Sequence, residues 1–440
     1  MLLPKGRARP PAYPSTRGGA SDGSRVRLLE CTGLLVSTPA VAVKRPSQRI
    51  PAFDGARGVM SLLVLVWHSF LLISPAIIAW VLLHRDSLGA WLWFTADPSV
   101  FLTTAIVVFF MLSGIVLTLP AMRSGFSWTA YYSSRLLRLY LPAWAAILLA
   151  TVLILTFNRR PAPRFSWLEF TNARHVGVLD VLWQSTLLTQ TPTIDNPLWS
   201  ISWEVLFSIF LPLFVLVAMK TTRLWIVVIA LCILISAAGE QLRTPGLMYM
   251  PTFLIGAVMA ANLNKLRAAA ESLNRSRWHT VYWWLILVGS AAAIWGSRFT
   301  DSLDLVKPFT IINHVFAATF ALGFTGVIFI VMGNHTATRF LTAKFSQWLG
   351  SLSYSMFLVH VPILATLGFA LLSNQWIVPL IGIPLSFIVA MLFSRFVEIP
   401  AHRFGKMIGR RVASRSRNGA VAPLPAPSRA TESVDEPTGG

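Results

Sequence analysis

The sequence predicts an all-α polytopic integral membrane protein with about ten transmembrane helices, and three observations carry that prediction. The 440 residues are 55% hydrophobic and only 12% charged, where a soluble globular domain carries about 25% charged residues. Apolar runs recur along the chain at close to the roughly 20 residues that cross a hydrocarbon core about 30 Å thick. The basic residues fall mostly on one side of those runs, as the positive-inside rule requires. Together these exclude an ordinary water-soluble enzyme and a disordered chain.

The ten runs occupy residues 61–83, 99–119, 136–156, 198–219, 224–238, 246–263, 281–295, 309–332, 350–372 and 376–396. The fifth and seventh are short. With a cytoplasmic N-terminus, 29 of the 37 Lys and Arg residues lie on the cytoplasmic side, and the 8 on the outer side are matched by 8 acids. The formal net charge of +20 is then a topological signal rather than a nucleic-acid footprint, and both termini are placed in the cytoplasm.

Residues 1–48 read as a flexible cytoplasmic leader, 49–406 as the ten-helix transmembrane domain, and 407–440 as a disordered basic, Ser- and Pro-rich cytoplasmic tail. Residues 25–42 loosely resemble a signal peptide, but Glu30 interrupts them and a leader is the favoured reading. The longest outer connection, 157–197, contains a short apolar patch and reads as a cap over the outer face. Cys31 and Cys232 cannot build a disulfide framework. The eight histidines lack metal-ligand spacing, so no metal and no bound cofactor are expected.

Ionisable groups inside a span cost at least ~2.5 kcal/mol on insertion scales, so each needs a reason. His68 lies in the first span, eleven residues after Arg57 in FDGARG. Eleven steps of about 100° end about 20° past three turns, and they rise about 16 Å. The cation and the imidazole therefore share one face. An arginine there can hold an anion while the imidazole acts as a base; a snorkelling arginine and a packed histidine satisfy the same spacing. Arg135 and Arg138 open the third span in RLLR at i and i+3, where they suit a phosphorylated ligand or simply the topology.

Glu204, in NPLWSISWEV, is the acid set well inside a span, with Ser200 one turn before it. It must be neutral or paired with His68 or an arginine. In GSLSYSMFLVH, Ser353 and His360 are seven apart on one face, with Tyr354 adjacent. FFMLSG (residues 109–114) offers a Ser–Gly step for close helix approach. VEIPAHR, with Glu398, Pro400 and Arg403, reads as a helix stop with a local ion pair.

In this order the motifs resemble the membrane-bound acyltransferase-3 family, whose Arg-x10-His signature falls on Arg57 and His68. FFMLSG, RLLRLYLP, NPLWSISWE, LGSLSYSMFLVH and VEIPAHR are similar to the family's successive blocks, across residues 49–406. Phe53 and Ala56 depart conservatively from the usual first block, and Val205 stands where a second acid is common. The resemblance implies a bacterial inner-membrane O-acyltransferase. It would move an acyl group, usually acetyl, from cytoplasmic acyl-CoA to a sugar hydroxyl of a lipopolysaccharide, exopolysaccharide, other glycan or macrolide.

Acyl-CoA would be a co-substrate, and the partners would be that donor, the glycan or glycolipid acceptor and membrane lipids, with no nucleic acid. Arg57, Arg135 and Arg138 would hold the CoA phosphates. His68 would deprotonate the acceptor or carry the acyl group, with Glu204 orienting the imidazole or stabilising its cation. Ser353, Tyr354 and His360 would bind the acceptor or polarise the thioester. Succinyl or longer acyl groups stay open within this class. A proton-coupled transporter using His68, His360 and Glu204 as a relay is the alternative from another class, and the lack of an inverted repeat weighs against it.

Overall fold

The computed structural model describes residues 50–83, 99–162, 166–188, 192–302 and 311–419. The leader expected at 1–48 and the chain beyond 419 lie outside these residues. Every regular element among the described residues is helical. In lipid a backbone polar group must be satisfied inside its own segment, which leaves helix as the open form for such apolar sequence.

The first long helices are α1 (Pro51–Leu83), α2 (Ser99–Ala121) and α3 (Trp128–Thr156). Ser127 caps α3 by accepting from the Ala130 amide. Two short helices follow, α4 (Trp167–Thr171) and α5 (Val178–Ser185). Next come α6 (Leu198–Lys220), α7 (Trp225–Gln241), α8 (Pro245–Ala261), α9 (Leu263–Arg275), α10 (His279–Ser302), α11 (Ile311–Gly333) and α12 (His335–Leu341). The chain ends with α13 (Lys344–Ala370), a 3-10 turn (Leu372–Ile377), α14 (Val378–Phe393), a π-turn (Ser394–Glu398) and α15 (Ile399–Gly419).

Six of these segments are long and apolar enough to cross a membrane, or eight if the bent pairs α8–α9 (77°) and α11–α12 (79°) each count as one span. The expectation of about ten also counted the apolar segments of α7 and α10. Those are shorter: the 17 residues of α7 rise about 25 Å, less than the core thickness. Asn262 and Asn334 stand at the two bends, and the Asn334 side chain caps α12 by accepting from the Ala337 amide.

Two close helix pairs set the frame. Gly58 of α1 lies against Leu349 and Gly350 of α13, and Gly350 against the Asp54 carbonyl; a Cβ on either would meet backbone. Gly114 of α2 and Gly256 of α8 meet in the same way. Small residues let backbones approach and maximise packing where no hydrophobic force drives helices together in lipid. On one side of α1, Phe110, Phe207 and Phe253 stack with ring centroids 4.4 Å apart. On the other, Leu139, Ile147, Met356 and Leu364 join α3 to α13. The site lies between these two cores.

The chain does not stop at VEIPAHR. The π-turn carries it into α15, which packs along α3 with Ala401, Gly405 and Gly409 buried at i, i+4 spacing. Residues 407–419 continue this helix where disorder was expected from 407 onward. Glu398 makes no ion pair with Arg403; its carboxylate accepts from Ser355 Oγ on α13.

The described residues of the 157–197 connection are tied to α3 and α13. Arg159 donates to the Ala173 carbonyl and to Thr366 Oγ1 of α13, at 2.6 and 3.1 Å. Tyr140 Oη and Trp144 Nε1 of α3 donate to the carbonyls of Thr186 and Ser185, both at 2.8 Å. These anchors lie 16 and 12 residues before the end of α3, so the end of α5 sits about 18–24 Å down that helix. At this depth α5 shows Val178, Leu179, Leu182 and Trp183 at 77, 79, 60 and 72% exposure, an apolar face suited to lipid. In a Cys31→Ser background, a nitroxide at Leu182→Cys is expected to be relaxed by oxygen and shielded from a water-soluble nickel chelate. The opposite ratio would place α5 in water.

Candidate active site

A cavity of about 560 Å³ opens between α1, α2, α3, α6, α13 and the α14–α15 junction, within the range of small-molecule sites. Arg57, Arg135, Arg138, Glu204, Ser353 and Tyr354 all line it, together with Arg395, Glu398 and His402. Helix geometry explains the convergence. The α1–α13 contact at Gly58 and Gly350 puts Arg57 on the same cavity as Ser353 and Tyr354, and Arg135 of α3 reaches Glu204 and Ser208 of α6.

Glu204 is the organising charge. Its Oε1 accepts from Arg135 Nη2 at 2.6 Å and from Ser113 Oγ at 3.1 Å, and Arg57 Nη2 lies 3.8 Å away. Arg57 also donates to Ser113 at 3.1 Å, and Arg135 Nε to Ser208 Oγ at 3.3 Å. Four helices thus meet at one carboxylate. The acid expected to orient His68 instead holds two arginines. Arg138 makes no ion pair within 4 Å among the described residues. Ser353 Oγ bonds its own helix at Gly350, and Tyr354 Oη donates to the Leu139 carbonyl at 3.0 Å.

His68 and His360 are not in the cavity lining. They are buried together, with Nδ1 of His68 3.1 Å from Nε2 of His360. His360 Nδ1 is 2.9 Å from the Met356 carbonyl, and His68 Nδ1 is 3.0 Å from that of Val64. Carbonyls only accept, so the contacts fit a proton on Nδ1 of each ring, the tautomer in which His360 Nε2 accepts from His68 and Nε2 is the accepting nitrogen of His68. Phe109 and Phe357 line the cavity with ring centroids 6.0 Å apart, and Phe357 is 6.0 Å from the His360 ring. Trp167 of α4 lies 5.3 Å from the His68 ring on another side. Among the described residues no His, Cys, Asp and Glu cluster could hold a metal ion.

Sequence reasoning did not single out Ser208, Ser355, Arg395 or His402, and it read Ser113 only as a small residue. Ser208 follows Glu204, and His402 follows Glu398, by four residues, the one-face spacing that could have flagged them.

Removing one partner of a buried ion cluster strands the rest, at a typical cost of about 3–5 kcal/mol. Glu204→Ala is therefore expected to lower the melting temperature strongly in detergent, and Glu204→Gln combined with Arg135→Gln to recover most of it. Equal melting of wild type, single and double variants would show the cluster to be thermodynamically idle.

Asp195, in the connection just before α6, is fully buried, and neither carboxyl oxygen has a hydrogen-bond partner among the described residues. Burial pushes its carboxyl well above the usual 3.8, so the folded chain keeps a proton that the unfolded chain releases. Its contribution to stability is full below about pH 4 and is lost as pH rises through the raised value. Asp195→Asn should match wild-type melting at pH 4 and exceed it at pH 8; a parallel pH dependence in both proteins would refute this.

The model of a family described as an acyltransferase domain matches residues 50–395, while no curated protein and no solved structure matches. The matched region starts with α1 and takes in the arginines around Glu204, the histidine pair and the cavity up to the π-turn. On that match, covering most of its length, the chain belongs to the acyltransferase-3 family.

Proposed function

We propose that this membrane acyltransferase moves an acyl group, acetyl in the simplest case, from cytoplasmic acyl-CoA to a sugar hydroxyl of an exported or cell-surface glycan or glycolipid. One arrangement supports the reading: an arginine-lined cavity at the basic ends of α1 and α3, with a buried histidine of bare Nε2 beyond its aromatic end. Arg138, which makes no ion pair within 4 Å among the described residues, takes the donor's phosphates together with Arg57 and Arg135, whose charges Glu204 only partly balances. The pantetheine arm runs past Phe109 and Phe357 toward His68, about 16 Å along α1.

In this scheme the acceptor hydroxyl loses its proton to His68 Nε2 as its oxygen attacks the thioester carbonyl. The C–S bond breaks, and the leaving thiolate takes the proton back from the imidazolium, giving an ester and CoA thiol. His360 acts as a positioning residue: it holds the His68 proton on Nδ1, and so the lone pair on Nε2. Ser353 and Tyr354 shape the cavity wall along the donor. The bacterial inner membrane, with both termini in the cytoplasm, is the location this reading requires.

Purified protein in lipid nanodiscs, given acetyl-CoA labelled in the acetyl group and a panel of glycan acceptors, should move label to the acceptor. His68→Ala is expected to slow transfer about a thousandfold at normal expression. His360→Ala should lower kcat and displace its pH profile while leaving the KM for acetyl-CoA unchanged. Full transfer by a correctly inserted His68→Ala protein would overturn the mechanism, and label that stays on CoA would favour transport.

A further inference from the structure

The cavity lining contains a second polar group that the scheme above does not use. It stands where α14 passes through the π-turn into α15. Ser394, Arg395, Glu398 and His402 all line the cavity there. A π-turn inserts an extra residue into a helix and is frequent at functional sites. Glu398 is engaged by Ser355 Oγ. One turn later, His402 Nε2 is buried and has no hydrogen-bond partner among the described residues.

A buried ring nitrogen without a partner calls for a group that enters the cavity. The charges that act on His402 say which kind: Arg135 and Arg138 from α3, and Lys406 from α15 itself. Arg138 faces the same cavity without an ion pair among the described residues, while Arg135 is bound to Glu204 at 2.6 Å. A neutral hydroxyl could satisfy the imidazole but would leave Arg138, which Glu204 and Glu398 reach only through space, without a contact partner. A phosphate oxygen satisfies both, accepting from His402 Nε2–H and pairing with the guanidinium.

We propose that His402 and Arg138 form a phosphate-binding subsite on the cavity wall made by α3 and α15, occupied by the pyrophosphate of the acyl donor. The proposal rests on the acyl-CoA reading for the identity of that donor. The phosphate chemistry itself rests on the orphaned nitrogen and the unpaired guanidinium. An anionic lipid headgroup carries the same chemistry, and the test separates the two sources.

The test uses the full chain in phosphatidylcholine nanodiscs, with inorganic pyrophosphate, CoA and unphosphorylated pantetheine as calorimetric probes. His402→Ala is expected to weaken pyrophosphate and CoA about tenfold, the loss of one hydrogen bond to a charged group, and to leave pantetheine unchanged. His402→Gln, which keeps a donor, should recover part of the difference, and Arg138→Gln should weaken the same two probes. Unchanged pyrophosphate affinity in both His402 variants, with wild-type melting, would overturn the subsite. Phosphatidylglycerol discs that displace pyrophosphate from wild type but not from His402→Ala would give the subsite to a lipid and overturn the donor assignment. A wild-type protein that binds pyrophosphate through His402 yet transfers no acyl group supports the subsite and defeats only the functional reading. Acyl transfer with the same KM for acetyl-CoA in His402→Ala defeats only the subsite.

Discussion

A carboxylate inside an apolar helix must be compensated, and the architecture around the cavity follows from how Glu204 is compensated. An unpaired carboxylate at that depth would cost several kcal/mol. The chain meets the need with Arg135 at 2.6 Å, Ser113 at 3.1 Å and Arg57 at 3.8 Å, each from a different helix. Those bonds tie α1, α2 and α3 to α6 on the wall of the cavity. The close approaches at Gly58–Gly350 and Gly114–Gly256 seat two of these helices, α1 against α13 and α2 against α8. Charge and small residues therefore act on one geometry.

The cluster also divides the work among the arginines. Arg57 and Arg135 spend part of their hydrogen-bonding capacity on Glu204 and on serines. Arg138 does not, and it shares the cavity with the unpartnered nitrogen of His402. Polar chemistry is thus spread along a line. A basic region stands where α3 and α15 pack, the Glu204 cluster lies on the cavity wall, and His360 of the histidine pair lies next to Phe357.

The outer connection completes the enclosure from the other end. Arg159 pins it to Thr366 of α13, Trp167 lies beside His68, and α5 reaches down the flank of α3. His68 is therefore covered by an element that lies outside the long helices. A short apolar patch was visible there in the sequence, but its depth was not, because that depth is set by two hydrogen bonds that Tyr140 and Trp144 donate to carbonyls more than forty positions away.

By itself the sequence determined the all-helical membrane class, the Arg57–His68 face, the order of the motif blocks and the ionisable residues that needed a reason. Those properties are local: apolar length, helical period and charge placement act within one segment. The tertiary structure alone decided who pairs with whom. Glu204 could have met His68 or an arginine, and it met Arg135; His360, read with the acceptor, sits against His68. VEIPAHR, read as a stop, continues into a helix and turns Glu398 and His402 into the cavity. Each of these depends on the rotation and height of one helix against another. Small-residue contacts and buried charges fix those two quantities across hundreds of residues, and no periodicity within a span encodes them.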